Sequence, residues 1–331
     1  MSQKLTHYVR RATTQTVLKI WKDMTMTSYD PSELSRVITF ANGKGGAGKT
    51  STAVNFAGLC AAAGHKTLLL DLDPQANAGH DLGYAWDGLS DNGEHIVNTL
   101  MSRNAALRPV LENSRPNLDV IPGGGLLNDL EDIIAGRSKR GEDAHTLLAQ
   151  ALIPLAGEYD IIIIDTPPTR PVLLQLALAA SRWIIVPTKS DRSSIEGLRV
   201  LAQQIATVHD TNPQLAILGA VLFATGTSAT AIRRNAAQDI NDVLGGIAPM
   251  FNSVIRHSES VAVEAREAGE LVHEIAERVD NAEPFWIALK KGEAPKRVAG
   301  TAPALADDYV LLTQEILTRI GNIEAQESES A

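Results

Sequence analysis

Cysteine is almost missing, with Cys60 the only one among 331 residues. That excludes an internal disulfide, and it excludes a metal or cluster site assembled from several thiolates of one chain. Long apolar runs are missing too. No stretch approaches the roughly 18 consecutive apolar residues of a membrane span; the most apolar piece, Ile161 to Ile164, is strand-length. The pattern of a secretory signal is absent, since Tyr8, Arg10 and Arg11 lead into mixed polar sequence. There is no internal repeat. Basic residues are outnumbered, 30 Lys and Arg against 39 Asp and Glu, for a net charge of −9. This excludes a uniformly basic nucleic-acid binder and leaves local patches open. A soluble, cytoplasmic protein is expected, and 44% hydrophobic residues are enough to bury one large core or two modest ones.

What is present alternates. Short β-branched runs at 36–41, 66–71, 118–121, 160–165, 183–187, 217–223 and 251–255 read as strands. Amphipathic stretches including 49–63, 126–135, 171–181, 195–209, 229–244 and 258–268 read as helices between them. Such alternation is the pattern of a doubly wound, mostly parallel α/β sheet with helices on both faces. Strands that are apolar throughout, such as Ile161 to Ile164, agree with a sheet covered on both sides. Three regions follow. Residues 1–35 form an N-terminal extension, partly helical around Val17, Leu18, Ile20 and Trp21 and carrying Lys4, Arg10, Arg11, Lys19 and Lys22. Residues 36–320 form one domain, with a loop at 281–306 and a last helix at 307–320; an acidic tail, 321–331, is expected to be disordered.

The sharpest local signal is Gly43-Lys44-Gly45-Gly46-Ala47-Gly48-Lys49-Thr50, followed by Ser51. It fits G-x-x-x-x-G-K-[ST] and lies between an expected strand and an expected helix. Glycines let backbone N–H groups turn toward phosphate oxygens, and the helix N-terminus favours the same negative charge. Lys49 is expected on the β- and γ-phosphates and Thr50 on Mg²⁺, which makes ATP with Mg²⁺ the expected cofactor. Two acidic elements accompany it. Asp71-Leu72-Asp73-Pro74-Gln75-Ala76-Asn77 ends one expected strand, and Asp73-Pro74 also reads as a turn initiator. Asp160-Ile161-Ile162-Ile163-Ile164-Asp165-Thr166-Pro167-Pro168 carries an apolar run that delivers Asp165 to a strand's C-terminal end, where ligands of open α/β sheets bind.

Lys44, five residues before Lys49, resembles the early lysine of the deviant Walker A loop, K-G-G-x-G-K-[ST], of the ParA/MinD family. The D-x-D-P-Q run, Asp165-Thr166-Pro167-Pro168, and Trp183-Ile184-Ile185-Val186-Pro187-Thr188 with Glu196-Gly197-Leu198 follow in the family's order. The resemblance covers about Arg36 to His273 and, beyond those stretches, is one of pattern. It implies an ATPase that forms a homodimer on ATP binding, with Lys44 reaching the partner's nucleotide and Asp73 orienting the attacking water. Asp165 would meet Mg²⁺ through water, with Asp71 in the metal's outer shell. Thr166-Pro167-Pro168 would sense the γ-phosphate, and loops after Val186 and Ile255 would hold adenine.

Absent features separate relatives. Nitrogenase iron protein and iron–sulfur scaffold ATPases need interface cysteines; Cys60 stands alone in the first helix. MinD-type proteins end in a basic membrane-inserting helix, whereas this end is acidic, so no membrane partner is expected. Dethiobiotin-synthetase-like enzymes lack both the Lys44 signature and the D-x-D-P-Q run. What the resemblance then implies is DNA partitioning: non-specific DNA binding by the ATP-bound dimer, nucleoid association in that state, and a ParB-like centromere-binding partner that stimulates hydrolysis. Arg233, Arg234 and Arg256 are the candidate phosphate contacts, followed by Arg266, Lys290, Lys291, Lys296 and Arg297, although solvated surface positions account for such residues equally well. Val261 stands where relatives often have a second arginine. The alternative is a related ATPase that positions a protein cargo or regulates another assembly. The extension is too short for a helix-turn-helix domain; it reads as a helix on the partner subunit, a basic arm, or sequence ahead of a start at Met24 or Met26.

Overall fold

The computed structural model describes residues 30–102, 105–140, 144–225, 230–244, 249–281, 290 and 299–330. The expectation of a helical extension therefore lies outside the described residues, except for Asp30 to Ser35. Most of the expected 281–306 loop, with Lys291, Lys296 and Arg297, lies outside them as well.

Eight strands form one sheet. In chain order they are β1 (Val37–Phe40), β2 (Thr67–Asp71), β3 (Leu111–Arg115), β4 (Leu118–Ile121), β5 (Ile161–Asp165), β6 (Trp183–Thr188), β7 (Ala216–Phe223) and β8 (Met250–Ile255). The spatial order is β3-β4-β2-β5-β1-β6-β7-β8. All neighbours run parallel except the β3–β4 pair. Helices fill the crossovers: α1 (Lys49–Ala62), α2 (Asn77–Asp81), α3 (Glu94–Met101), α4 (Leu127–Lys139), α5 (Leu147–Ala156), α6 (Pro171–Ala179), α7 (Arg192–Val208), α8 (Thr230–Leu244), α9 (Glu259–Ala268), α10 (Val272–Asp280) and α11 (Ala302–Ser330). The doubly wound class expected from the alternation is the one observed.

Double winding is visible within single strands. Trp183 and Ile185 of β6 belong to a core shared with α1, α10 and α11, including Phe56, Ile275 and Ile316. Ile184 and Val186, pointing the other way, pack with Leu174, Leu178, Leu198 and Leu201 of α6 and α7. Period-two alternation thus feeds two hydrophobic layers, so both sets of β6 side chains are apolar. Helix starts use local devices: Pro171 sits in the first turn of α6, and the Asp191 side chain accepts the Ser194 backbone N–H to cap α7.

The C-terminal expectation is corrected. The last helix runs from Ala302 to Ser330, so the stretch read as a disordered tail is helical almost to its end. Ile316 and Ile320 are buried, and Ile323 packs against the same core, which continues the apolar stripe past residue 320. The residues beyond, rich in Glu, Ala and Gln, are good helix formers. Glu324 and Glu327 pair with Arg36 and Arg182. β3 and the helices α2, α3, α5 and α10 lie outside the segments named from sequence.

α11 also closes the β8 edge of the sheet. Its Glu315 carboxylate accepts the backbone N–H groups of Asn252 and Ser253 at 2.9 and 3.0 Å. Asp308, about two turns earlier, accepts that of Arg256 at 2.9 Å. Donors that an edge strand leaves open are thereby taken within the chain. No helix among the described residues is long and apolar enough to cross a membrane. Glu315→Ala should leave two strand donors without their carboxylate and lower unfolding free energy in urea by about 1–3 kcal/mol. An unchanged midpoint would show that solvent replaces it fully.

Candidate functional site

The glycine-rich loop joins the C-terminal end of β1 to the N-terminus of α1, and its shape is fixed by what surrounds it. Gly48 caps α1 in the left-handed region, φ 92°. A side chain there would also collide with the Phe223 ring at the end of β7. Glycine is demanded twice, by conformation and by space. The other end is stitched to β6 and α7. Asn42 donates to the Pro187 carbonyl at 2.8 Å and accepts the Lys44 backbone N–H at 3.0 Å. Gly43 donates to the Gly197 carbonyl at 3.3 Å, and a Cβ on Gly197 would strike Asn42 Oδ1. The Glu196-Gly197-Leu198 stretch therefore matters because its glycine lies against the loop.

The two lysines point to different places. Lys49, deeply buried, donates to the Lys44 carbonyl at 3.1 Å and so closes the loop on itself. Burial lowers its pKa, opposed by the negative charge of Asp165 and Asp73. Lys44 turns outward instead and forms an ion pair with Asp191 at 2.7 Å, where both side chains are partly exposed. The Asp191 carboxyl is held well below the usual range, first by the Lys44 hydrogen bond and then by Ser193.

Opposite the loop stand the strand-end carboxylates. Asp71 and Asp165 are register partners on β2 and β5, side by side at the C-terminal ends. Both are fully buried. Burial pushes Asp165 up to about 7, with the Thr50 hydroxyl and the Lys49 ammonium pulling back. Burial, then the neighbouring Asp165, carries Asp71 well above the carboxylate range. Neither oxygen of Asp165, nor Oδ2 of Asp71, has a hydrogen bond of ordinary geometry. Buried polar atoms are normally satisfied, so three orphaned oxygens mark a place built for something further. Hard oxygen donors beside the Thr50 hydroxyl and a phosphate-sized loop fit Mg²⁺ bound with a nucleotide.

Asp73 is buried in the turn after β2. Its backbone N–H donates to Asp71 Oδ1 at 2.8 Å, while its own Oδ1 accepts from Gln75 at 2.9 Å. The turn-forming reading of Asp73-Pro74 thus describes its local geometry. Above it lies a feature sequence reasoning passed over: Gly123, after β4, sits where a Cβ would come within 3.0 Å of the Asp71 carboxyl carbon and 2.7 Å of the Asp73 carbonyl. Tyr84 is another. It is buried, its hydroxyl has no partner among the described residues, and its pKa is raised by burial and then by the charge of Asp71 and Asp165. Pro168 closes on Gly45 from the β5 side, its ring 3.8 Å from where a Cβ would stand.

Beside the loop a cavity of about 350 Å³ is lined by Gly46, Lys49, Thr50, Asp73, Phe223 and Arg256, among others. Loop residues Gly43 to Thr50, Asp71, Asp73 and Asp165 converge at the carboxyl edge of the sheet. The candidate DNA contacts do not join them as free cations. Arg256 is held in a two-pronged pair with Asp308, at 2.6 and 2.7 Å, on the cavity wall. Arg266 pairs with Asp81 at 3.3 Å. Arg234 is exposed on α8; Arg233 lies on the same helix, its side chain outside the described residues.

A glycine loop feeding a helix N-terminus in a parallel sheet, opposed by a strand-end aspartate, is the architecture of the P-loop nucleoside triphosphatases. Comparison with known proteins narrows the class. The profile of a family described as an AAA domain matches residues 35–217. The chromosome partitioning protein ParA of Myxococcus xanthus is 37% identical over 194 residues, 57% of this chain and 65% of that protein. The chromosome-partitioning ATPase Soj of Treponema pallidum is 30% identical over 227 residues, 67% of this chain and 83% of that one. The ATP complex of McdA from Cyanothece shares the fold, with a TM-score of 0.63 at 20% identity over 86% of this chain and 96% of that chain. The chain belongs to the ParA/MinD-type family of P-loop ATPases. It spans slightly less than two thirds of the Myxococcus protein's length.

The orphaned carboxylates set a pH dependence. A carboxyl whose folded value is raised stabilises the fold while protonated, and that contribution is lost as pH rises from about 4 through about 7. Without nucleotide or Mg²⁺, Asp165→Asn should therefore raise the melting temperature by a few degrees at pH 8 and by much less at pH 5. Equal gains at both pH values would remove the buried charge as the cause.

Proposed function

We propose that this chain is an ATP-dependent DNA partitioning protein whose nucleotide state sets its association. The loop of Gly43 to Ser51 would hold Mg·ATP, with Thr50 and, through water, Asp165 as the residues that would hold the metal and Asp71 behind them. The metal supplies charge neutralisation for the phosphates. Asp73, anchored through its backbone to Asp71, presents its free carboxylate oxygen toward the attacking water and withdraws a proton from it. Lys49 stabilises charge developing on the β- and γ-phosphates.

The observation that carries the reading is the division of labour between the two lysines. Lys49 already satisfies its own loop, whereas Lys44 is directed away from it to a partly exposed carboxylate. An ammonium so placed serves a phosphate outside its own loop: in a homodimer, that of the partner subunit. Exchange of the Asp191 contact for the partner's phosphate then links ATP binding to dimerisation. The dimer binds DNA non-specifically through phosphate contacts of Arg233 and Arg234, and a ParB-like protein stimulates hydrolysis and release. Cytoplasmic location with nucleoid association in the ATP state belongs to the same reading, and the partitioning relatives support it.

A second reading, an ATPase that positions a protein cargo, is favoured by one observation. Arg256 and Arg266, counted as DNA contacts from sequence, are already engaged by Asp308 and Asp81.

The deciding experiment measures DNA binding with ATP, ADP or no nucleotide, at two salt concentrations, for the wild type, Lys44→Ala and Lys49→Ala. Partitioning requires sequence-independent binding with ATP only, steeply weakened by salt and lost in both variants. Nucleotide-dependent dimerisation with no DNA affinity would sink the DNA half and leave the cargo reading. Asp191→Ala frees Lys44 and is expected to lower the ATP concentration needed for dimerisation, read by light scattering; an unchanged midpoint would show that the pair does not hold the monomer.

A further inference from the structure

Among the described residues, four lysine or arginine side chains line the cavity beside the phosphate loop: Lys49, Lys189, Arg256 and Arg266. Three are committed within the chain. Lys49 donates to the Lys44 carbonyl and lies in the field of Asp165 and Asp73. Arg256 is clamped by Asp308 and Arg266 is paired with Asp81. Lys189 differs. It is partly buried, and among the described residues its ammonium meets no carboxylate and no hydrogen-bond acceptor.

Its backbone is placed with care. β6 pairs with β1 up to Ile185, opposite Phe40, and then continues beside the loop that leaves β1. Three contacts tie the two segments: the Ala41 N–H to the Ile185 carbonyl at 3.0 Å, Asn42 to the Pro187 carbonyl at 2.8 Å, and Lys44 to Asp191 at 2.7 Å. Lys189 falls between the second and third of these. A long side chain on a backbone pinned within the loop's own framework has little freedom to leave the cavity mouth. An ammonium ordinarily finds a counter-charge or full hydration. Among the described residues that counter-charge is missing, while the cavity runs along the phosphate loop at Gly46, Gly48, Lys49 and Thr50.

We propose that Lys189 is a further nucleotide-binding residue, its ammonium taking a phosphate oxygen of the bound nucleoside polyphosphate. This rests on the nucleotide-binding reading above. In the monomer Lys189 supplies a second charge to the phosphates while Lys44 remains with Asp191. The chain thus gains affinity for its nucleotide before any partner subunit contributes.

The test is calorimetric titration of ATP and of ADP, each with Mg²⁺, into the full chain as wild type, Lys189→Ala, Lys189→Gln and Lys189→Arg. Titrations are run at low and at moderate salt. Lys189→Ala and Lys189→Gln should bind about 10-fold more weakly at low salt, equivalent to about 1.4 kcal/mol. The difference should shrink as salt rises, and Lys189→Arg should retain most of the affinity. Melting temperatures without nucleotide should match the wild type, because the side chain has no partner among the described residues to lose. Wild-type affinity in the neutral variants, or a loss that is independent of salt and not rescued by arginine, overturns the assignment. Failure of the wild type to bind either nucleotide is a different result: it overturns the nucleotide reading itself.

Discussion

The cost of holding two carboxylates out of water shapes the functional end of the molecule. Asp71 and Asp165 end neighbouring strands in register, so sheet geometry alone brings them together. Neither can ionise comfortably there, since a buried charge loses hydration and each carboxylate repels the other. The surroundings answer in part: Lys49, the Thr50 hydroxyl and the Asp73 backbone N–H all approach them. What they leave unsatisfied is the capacity to hold a divalent cation. A site that is uncomfortable when empty and relieved by its ligand couples binding to rigidity, because the ligand removes a destabilising feature of the fold.

The loop opposite is rigid for a different reason. It is fastened to β6 and α7 by Asn42, by Gly43 against Gly197, and by Lys44 with Asp191. Phe223 presses on Gly48 from β7. Two strands and a helix thus hold the cradle before any phosphate arrives, which spares the ordering cost on binding. The same framework sets Lys189, on the segment that follows β6, beside the loop that carries Lys44, the first lining the cavity and the second paired with Asp191.

Local features of the site were legible in the sequence because spacing along the chain determines them. The glycine loop, the D-x-D-P-Q run and the apolar strand ending in Asp165 each act within a few residues of themselves. Features made by distant residues were not. Asp191 lies 147 positions from Lys44, and nothing in its neighbourhood marks it as that lysine's partner. Asp308, 52 positions beyond Arg256, turns an expected surface cation into a wall of the cavity. β3, Leu-Glu-Asn-Ser-Arg, carries a single apolar residue and exists through its pairing with β4, so no periodicity announces it. At the C-terminus charge was weighed over helix propensity, and the stripe through Ile316, Ile320 and Ile323 shows why the helix continues.

α11 has an effect beyond packing. By taking the Asn252 and Ser253 donors of β8 with Glu315, and that of Arg256 just beyond it with Asp308, it obstructs an incoming strand on that side of the sheet. Neighbouring molecules cannot add to one another there by continuing the hydrogen-bond ladder. On this side of the sheet any assembly has to grow through helix faces and loops, surfaces whose contacts a bound ligand can alter. A sheet that propagated through β8 would answer to no such control.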